Sequence, residues 1–307
     1  MNNFTDMNNE KSILAVGSLA LDNLETINGN RKNLLGGSST YFGIATSLFS
    51  PVSIVGVVGD DFPKEAWELF ANKMIDVNNI EVVKGKTFQW GGRYSDDYSA
   101  RETLFTELGV FESFQPKIDS SYQNPEYLFL GNIQPELQLS VSNQITSMKS
   151  IVCDTMNLWI DLSPKQLWEV ISRVNIFMLN DEEALQLTKK TTILEAADHL
   201  LDSGPSVVVI KQGGNGALLS YENTKIQVPV FPIKKLIDPT GAGDSFAGGF
   251  IGHLVKNNNN DYLEAVVTGA AVASFTVSGF GIEGLLEASL DSVNGRKDVI
   301  RKSIKKL

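Results

Sequence analysis

The stretch "LIDPTGAGDSFAGGF", residues 236–250, decides how the rest of the chain is read. A glycine turn, Gly241-Ala242-Gly243, runs straight into an acid, Asp244, and then into small and apolar residues of helical character. A helix N-terminus carries unpaired backbone N–H groups and partial positive charge. An acid there caps the helix, or shares its field with a phosphate and acts beside it as a base. Successive N–H groups at Gly241, Ala242 and Gly243 form a nest for an anion developing in a transition state. Asp244, just beyond them, is placed to accept a proton from a hydroxyl that attacks a phosphoryl group.

Composition bounds the reading. The 307 residues are 42% hydrophobic and 20% charged, which suits a globular protein of one large domain, or one domain with an insertion. A formal charge of −10 excludes a nucleic-acid surface, because phosphate backbones require clustered Lys and Arg. Any positive field for an anionic ligand must therefore be local. Cys153 is the only cysteine, so there is no disulfide framework. His199 and His253 lie far apart and give no zinc spacing. No apolar run reaches about 18 residues, so no membrane span is expected. The polar start "MNNFTDMNNEKS" lacks the apolar centre of a signal peptide, and a cytoplasmic location is the expectation.

After a polar tail at 1–10, "SILAVGSLALDNLETI" begins as a buried strand and continues as a more exposed, alternating one carrying Asp22. "GGSSTYFGIATSLFS" is a glycine pair followed by serine caps and a helix of small residues. "VSIVGVVGDDF" reads as a strand, and "PKEAWELFANKM" as an amphipathic helix with Pro63 in its first turn. The segment 80–108 has β-formers, Gly-Gly and Asp-Asp turns and little helical period, which predicts antiparallel strands outside the main sheet. From "EYLFLGN" onward, strands "SIVCDT", "IFMLN" and "SVVVIKQ" alternate with helices. Such alternation implies a largely parallel, doubly wound α/β sheet with helices on both faces. The chain from Gly243 onward reads as helices, with a loop at the asparagine run 257–260.

Two stretches mimic nucleotide motifs and fail on context. "VKGKTF" contains Gly-Lys-Thr, but a P-loop needs glycine where Ile80 stands. "GFGIEG", residues 279–284, spells G-x-G-x-x-G yet follows a helical segment, and too little chain remains for a full βαβ unit.

The full pattern "DPTGAGDSFAGGF" resembles the C-terminal signature of the ribokinase family, also called the PfkB family of carbohydrate kinases. "GGSSTYFGIATSL" (36–48) resembles its N-terminal Gly-Gly motif, "LNDEEA" (179–184) its Asn-x-x-Glu element, and "IKQGGNGAL" (210–218) its nucleotide-side glycine loop. Order and spacing suit the family from about Ile13 to the last helix. The resemblance implies a kinase domain over 11–307 that transfers phosphoryl from ATP to a sugar hydroxyl, with a small β lid formed by about 20–36 and 80–108.

The resemblance also implies roles. Asp244 is the general base, and Gly241, Ala242 and Gly243 form the anion hole. Asn180 and Glu183 help to hold Mg²⁺ through water, although "NDEE" reads equally as helix-start acids. Lys211, Gly213 and Gly216 approach the nucleotide. Asp238 and Thr240, with the turn near Ser278–Gly281, match a K⁺ loop used by many members. Asp22 grips acceptor hydroxyls, and Gly36 and Gly37 allow the backbone to come close. Tyr41 stands where the family usually has Asn, which counts against ribose or fructose as acceptor.

The lid carries Phe88, Trp90, Arg93, Tyr94, Tyr98 and Arg101. Such residues close over a sugar, stack a nucleobase, pair with an anionic acceptor, or form a homodimer interface through the lid. A nucleoside kinase is the alternative enzyme, and a non-catalytic ligand-binding protein on the same fold is the alternative class.

Overall fold

The computed structural model describes residues 13–307, so the expected tail at 1–10 and the start of the expected domain at 11 lie outside the described residues. The first apolar run forms β1 (Ile13–Val16), and the alternating stretch forms β2 (Ala20–Thr26), which returns as β3 (Gly29–Gly36). Helix α1 (Ser38–Thr46) leads to β4 (Val52–Gly59), α2 (Lys64–Asn72) and β5 (Ile75–Val83). A hairpin follows, β6 (Phe88–Tyr94) and β7 (Arg101–Glu107). Next come β8 (Tyr127–Leu130), α3 (Pro135–Gln144), β9 (Ser150–Asp154), α4 (Asn157–Leu162) and α5 (Pro164–Ile171). The alternation runs on through β10 (Ile176–Asn180), α6 (Asp181–Thr188), α7 (Ile193–Leu201) and β11 (Val207–Lys211). A meander, β12 (Ala217–Tyr221) and β13 (Thr224–Val228), precedes α8 (Ala242–Asn257) and α9 (Tyr262–Thr276). The chain closes with α10 (Glu283–Leu286), α11 (Leu290–Arg301) and the short strand β14 (Lys305–Lys306).

The main sheet has ten strands in the order β14-β13-β12-β11-β10-β9-β8-β1-β4-β5. All neighbours from β5 to β11 pair in parallel, and β12, β13 and β14 extend the sheet antiparallel. Alternate residues of β1 feed opposite layers. Ile13 and Ala15 pack with α1, α8 and α9, whereas Leu14 and Val16 pack with the layer of α3, α5, α6 and α7. Burial on both faces explains the unbroken apolar runs of these strands. The chain runs from β1 to β4 on one side and reaches β8 on the other, so the strand order switches at β1. Open α/β sheets bind ligands outside the carboxyl ends of strands at such a point.

The small residues of α8 serve helix packing. A Cβ added at Gly248 would stand 2.6 Å from the Phe42 carbonyl oxygen of α1, and one at Gly249 3.1 Å from the Gly269 Cα of α9. Helix α8 is thus wedged between two helices.

A second sheet, in the order β3-β2-β6-β7, forms the lid. Two expectations change here. Ile80–Val83 do not belong to the lid: they continue β5 and pair with Gly56–Gly59 of β4 in the main sheet. The lid is also not wholly antiparallel, since β2 and β6 pair in parallel between two antiparallel hairpins. A run of β-formers does not reveal which sheet supplies its partner. The free edge of buried β4 claims residues 80–83, and the turn at Gly85 releases the chain to the lid.

Candidate active site

At the end of β1 the chain reaches α1 through a reciprocal serine clamp. The Ser18 N–H donates to Ser38 Oγ and the Ser38 N–H to Ser18 Oγ, each at 3.1 Å. The clamp fixes the Gly36-Gly37 turn beneath the sheet edge. Gly37 has φ 88°, and a Cβ there would meet the Ser18 carbonyl oxygen at 2.5 Å. A Cβ at Gly36 would fall 2.0 Å from Asp22 Oδ2, so this glycine makes the room that Asp22 occupies. Asp22 is buried, and its pKa is pushed up to about 8 by desolvation first, then by Asp238 and Asp244; a backbone hydrogen bond from Gly37 offsets part of this.

The turn before α8 is built around Asp238, which is fully buried. Its Oδ1 accepts from the Thr240 N–H and its Oδ2 from the Gly281 N–H, both at 2.9 Å. The "GFGIEG" turn is therefore a partner of Asp238, not a dinucleotide site. Burial raises the Asp238 pKa, and no Lys or Arg pairs with it among the described residues. Gly241 caps α8 with φ 73°, and a Cβ there would overlap the Tyr41 ring at 2.3 Å. Tyr41 thus lies flat against the Gly241 turn. Its ring is 1% exposed, and its hydroxyl has no hydrogen-bond partner among the described residues. Burial, then Asp22 and Asp238, raise its pKa, so the phenol stays protonated as a donor.

Asp244 follows in the first turn of α8; Gly241, not Asp244, is the cap. The acid keeps an opening to the site while protein surrounds it. Desolvation first, then the charge of Asp154, push its pKa up to about 7. At the other end, the carboxyl termini of β9, β10 and β11 bring Asp154, Asn180 and Lys211 side by side, since Met178 pairs with Asp154 and Asn180 with Lys211. Lys211 Nζ donates to Asp154 Oδ2 at 2.5 Å and lies 3.0 Å from where a Gly243 Cβ would be. Burial works against the ammonium, but Asp154, Glu183 and Asp244 outweigh it and raise its pKa.

Asn180 and Glu183 form a capping box on α6: Asn180 Oδ1 accepts from the Glu183 N–H at 2.7 Å, and Glu183 Oε2 from the Asn180 N–H at 2.8 Å. The helix-start reading of "NDEE" is met by this box, and Glu183 is also buried near Lys211. Desolvation, then Asp154, push its pKa up to about 7. Gly213 (φ 51°) leaves open space at the end of β11. Gly216 is required by packing, as a Cβ there would strike the Val228 carbonyl oxygen at 2.0 Å.

Above the site, the Tyr94 and Thr240 hydroxyls lie 2.9 Å apart, and the Tyr98 hydroxyl donates to the Ile237 carbonyl at 2.7 Å. Asn28, at the β2–β3 turn, donates to the carbonyls of Leu236 (2.8 Å) and Ile237 (3.2 Å). The lid is thereby tied to the segment that leads into α8. Trp90 is held within the lid, packed on Gly92 and donating to Thr103 Oγ1 at 3.4 Å. The residue that sequence reading missed is Asp154. An acid ending a buried strand was its only local signal, and its partner Lys211 lies 57 positions away.

These features agree with the comparisons. The family model described as "pfkB family carbohydrate kinase" matches residues 15–288. The chain is 32% identical over 248 residues to the cytidine kinase of Thermococcus kodakarensis, covering 78% of this chain and 87% of that protein. The solved nucleoside kinase of Methanocaldococcus jannaschii superposes with a TM-score of 0.79 at 22% identity, over 94% of this chain and 98% of that one. An E. coli structure described as a ribokinase II, in complex with ATP and Mg²⁺, gives 0.79 at 18% identity, over 94% and 99%. With its glycine turn, aspartate, lid and switch-point sheet all in place, this chain belongs to the pfkB family of carbohydrate kinases, ATP-dependent phosphotransferases that act on a hydroxyl.

Proposed function

We propose that Asp244 is the general base that deprotonates an acceptor hydroxyl on a sugar or sugar derivative, beside an anion hole made by Gly241, Ala242 and Gly243. One observation carries this reading. Asp244 sits one residue past the nest, with its pKa held at about 7, the range in which a base works best at neutral pH. Lys211 reaches Gly243 and supplies positive charge at the nucleotide side of the same turn. The buried Asp22, together with the Tyr41 hydroxyl, which is buried and without a hydrogen-bond partner among the described residues, orients the acceptor.

ATP supplies the phosphoryl group, and Mg²⁺ neutralises its charge when bound. The chain's residues fit this pair. Glu183 is a buried carboxylate whose raised pKa a nearby cation relieves, and the capping box holds it in place. Among the described residues no group of three or more acidic, His or Cys side chains could hold a metal, so the fit is to an ion carried by phosphates and water, not to a protein cage. Asp238, buried with no cationic side chain, fits a K⁺ counter-charge that orders the anion hole; equal rates in K⁺, Na⁺ and choline at matched ionic strength would remove that role.

The decisive screen measures ADP release from MgATP with sugars, nucleosides and vitamin-like alcohols. Release that depends on an added acceptor is expected, and release that ignores every acceptor would overturn the reading. A nucleoside acceptor is the second reading, favoured by likeness to the Thermococcus cytidine kinase. Trp90 separates the two, because Trp90→Ala selectively impairs nucleosides if the ring stacks a base and affects all acceptors alike if it only supports the lid. The reading extends to a homodimer paired through the lids, where Ile27 and Leu104 are exposed, testable by light scattering. Among the described residues no helix is long and apolar enough to cross a membrane. A cytoplasmic location is a separate part of this reading.

A further inference from the structure

We propose that the free edge at the end of β5, Glu81-Val82-Val83-Lys84, is a self-association surface whose occupant is the same stretch of a second copy of this chain. The main sheet ends at β5, where Glu81, Val82 and Val83 pair with Val57, Val58 and Gly59 of β4 on the inner side. An edge strand leaves a row of outward N–H and C=O groups without partners. Among the described residues no backbone bond outside the β4 ladder reaches residues 81–84. The first half of β5 is covered instead, because the Asp119 N–H donates to Asn79 Oδ1 at 3.2 Å and the Tyr122 hydroxyl donates to Asp76.

What this edge presents is self-complementary. Val82 is 61% and Val83 40% exposed. Glu81 and Lys84, on either side of them, are exposed and join no salt bridge among the described residues. In an antiparallel pair with Val82 opposite the partner's Val83, Glu81 falls opposite the partner's Lys84, and the two-fold axis repeats both pairs. A slip of one residue sets Glu81 against the partner's Val83, or Val82 against the partner's Lys84, and both matches are lost. The order Glu-Val-Val-Lys therefore specifies a single register.

The opposite edge of the main sheet shows the contrast. There β14 is two lysines, Lys305 and Lys306, which repel a copy laid beside them. Like charges guard an edge, whereas opposite charges at matched positions admit one partner in one direction. The surface is also separate from the lid, where exposed Ile27 lies at the β2–β3 turn and exposed Leu104 on β7. The chain turns at Gly85, with φ 141°, which limits the pairing to a few residues a side. So short a pairing is small beside a standard interface, and the association is weak and reversible, with a dissociation constant on the order of 10–100 µM.

The test is sedimentation velocity on the full chain from about 1 to about 300 µM, a range that brackets such a constant. The unmodified protein should self-associate within it. Glu81→Lys and Lys84→Glu each set two like-charge pairs across the axis, and each should weaken association about 10-fold or more. The double variant Glu81→Lys/Lys84→Glu should regain the parent's association, and so should an equimolar mixture of the two single variants. Independently, Val82→Cys mixed with Val83→Cys should form an intermolecular disulfide on mild oxidation, for which buried Cys153 does not compete. Val82→Cys alone should not, because in this register the two copies of position 82 point to opposite faces. Association at the parent's strength in every variant would assign it to the lids and overturn the proposal. So would a parent that stays monomeric throughout, a double variant that stays weak, or a disulfide formed as readily by Val82→Cys alone as by the mixture.

Discussion

The hydroxyls of Tyr94 and Thr240, 2.9 Å apart, join the lid to the loop that leads into α8. The bond spans 146 positions of sequence and is one of several polar ties between the two, including Tyr98 and Asn28 to the 236–237 carbonyls. We expect a lid so tied to present its inner face to the Gly241–Gly243 turn and to exclude water from it. Tyr94→Phe removes one neutral hydrogen bond, worth ~1 kcal/mol. The expected result is an acceptor kcat/KM about 5-fold lower, with MgATP affinity unchanged in calorimetry. An unchanged kcat/KM would show that the tie does not govern closure.

Asp22 makes the folded protein sensitive to alkaline pH. Its ordinary pKa of 3.8 applies to the unfolded chain, and about 8 to the folded one. Below both values the carboxyl is neutral in either state and costs nothing; as pH rises between them, the unfolded state gains by ionising and stability falls. Asp22→Asn, which cannot ionise, should melt several degrees higher than the parent near about pH 8.5, with the gap shrinking toward about pH 5. The same variant should lose roughly 2–4 kcal/mol in kcat/KM for the acceptor. A melting gap that is the same at both pH values would remove Asp22 as the titrating group.

We expect the Asp154–Lys211 pair to set the pH range of catalysis. Asp154 is the leading charge raising the pKa of Asp244 and of Glu183, and Lys211 lowers both. Asp154→Asn should move the acid limb of the kcat/KM profile to lower pH by about one unit, and Lys211→Met should move it to higher pH. Limbs that move in the same direction in both variants would break the assignment.

Tyr41 couples stability to acceptor use. Its buried hydroxyl has no partner, an arrangement that costs about 1–3 kcal/mol in the absence of a ligand. Tyr41→Phe should therefore melt at or above the parent temperature, and should use acceptors about 10-fold less well. A variant that is destabilised would point instead to a water or cation held by that oxygen.

Much of this architecture is legible in the sequence because its signals are local. Strand and helix alternate over short windows, and "DPTGAGD" contains its cap, nest and acid within seven residues. The Asn180–Glu183 element is equally local, and its capping box closes within four residues. What sequence does not reveal is pairing at a distance. Ile80–Val83 read as lid because a β pattern says nothing about its partner strand. Asp154 gained no role because Lys211 reaches it only once β9, β10 and β11 lie side by side. The glycines of α8 show their packing partners only once α1 and α9 are seen on both sides of the helix.

The most direct measurement is turnover by Asp244→Asn with saturating MgATP and an accepted substrate, alongside calorimetry of MgATP. If Asp244 is the base, kcat falls about 10²–10⁴-fold while the fold and the MgATP affinity are retained, because the amide fills the same space at the end of the Gly241–Gly243 turn but cannot take the proton. Turnover close to that of the unmodified protein would contradict the account at its centre.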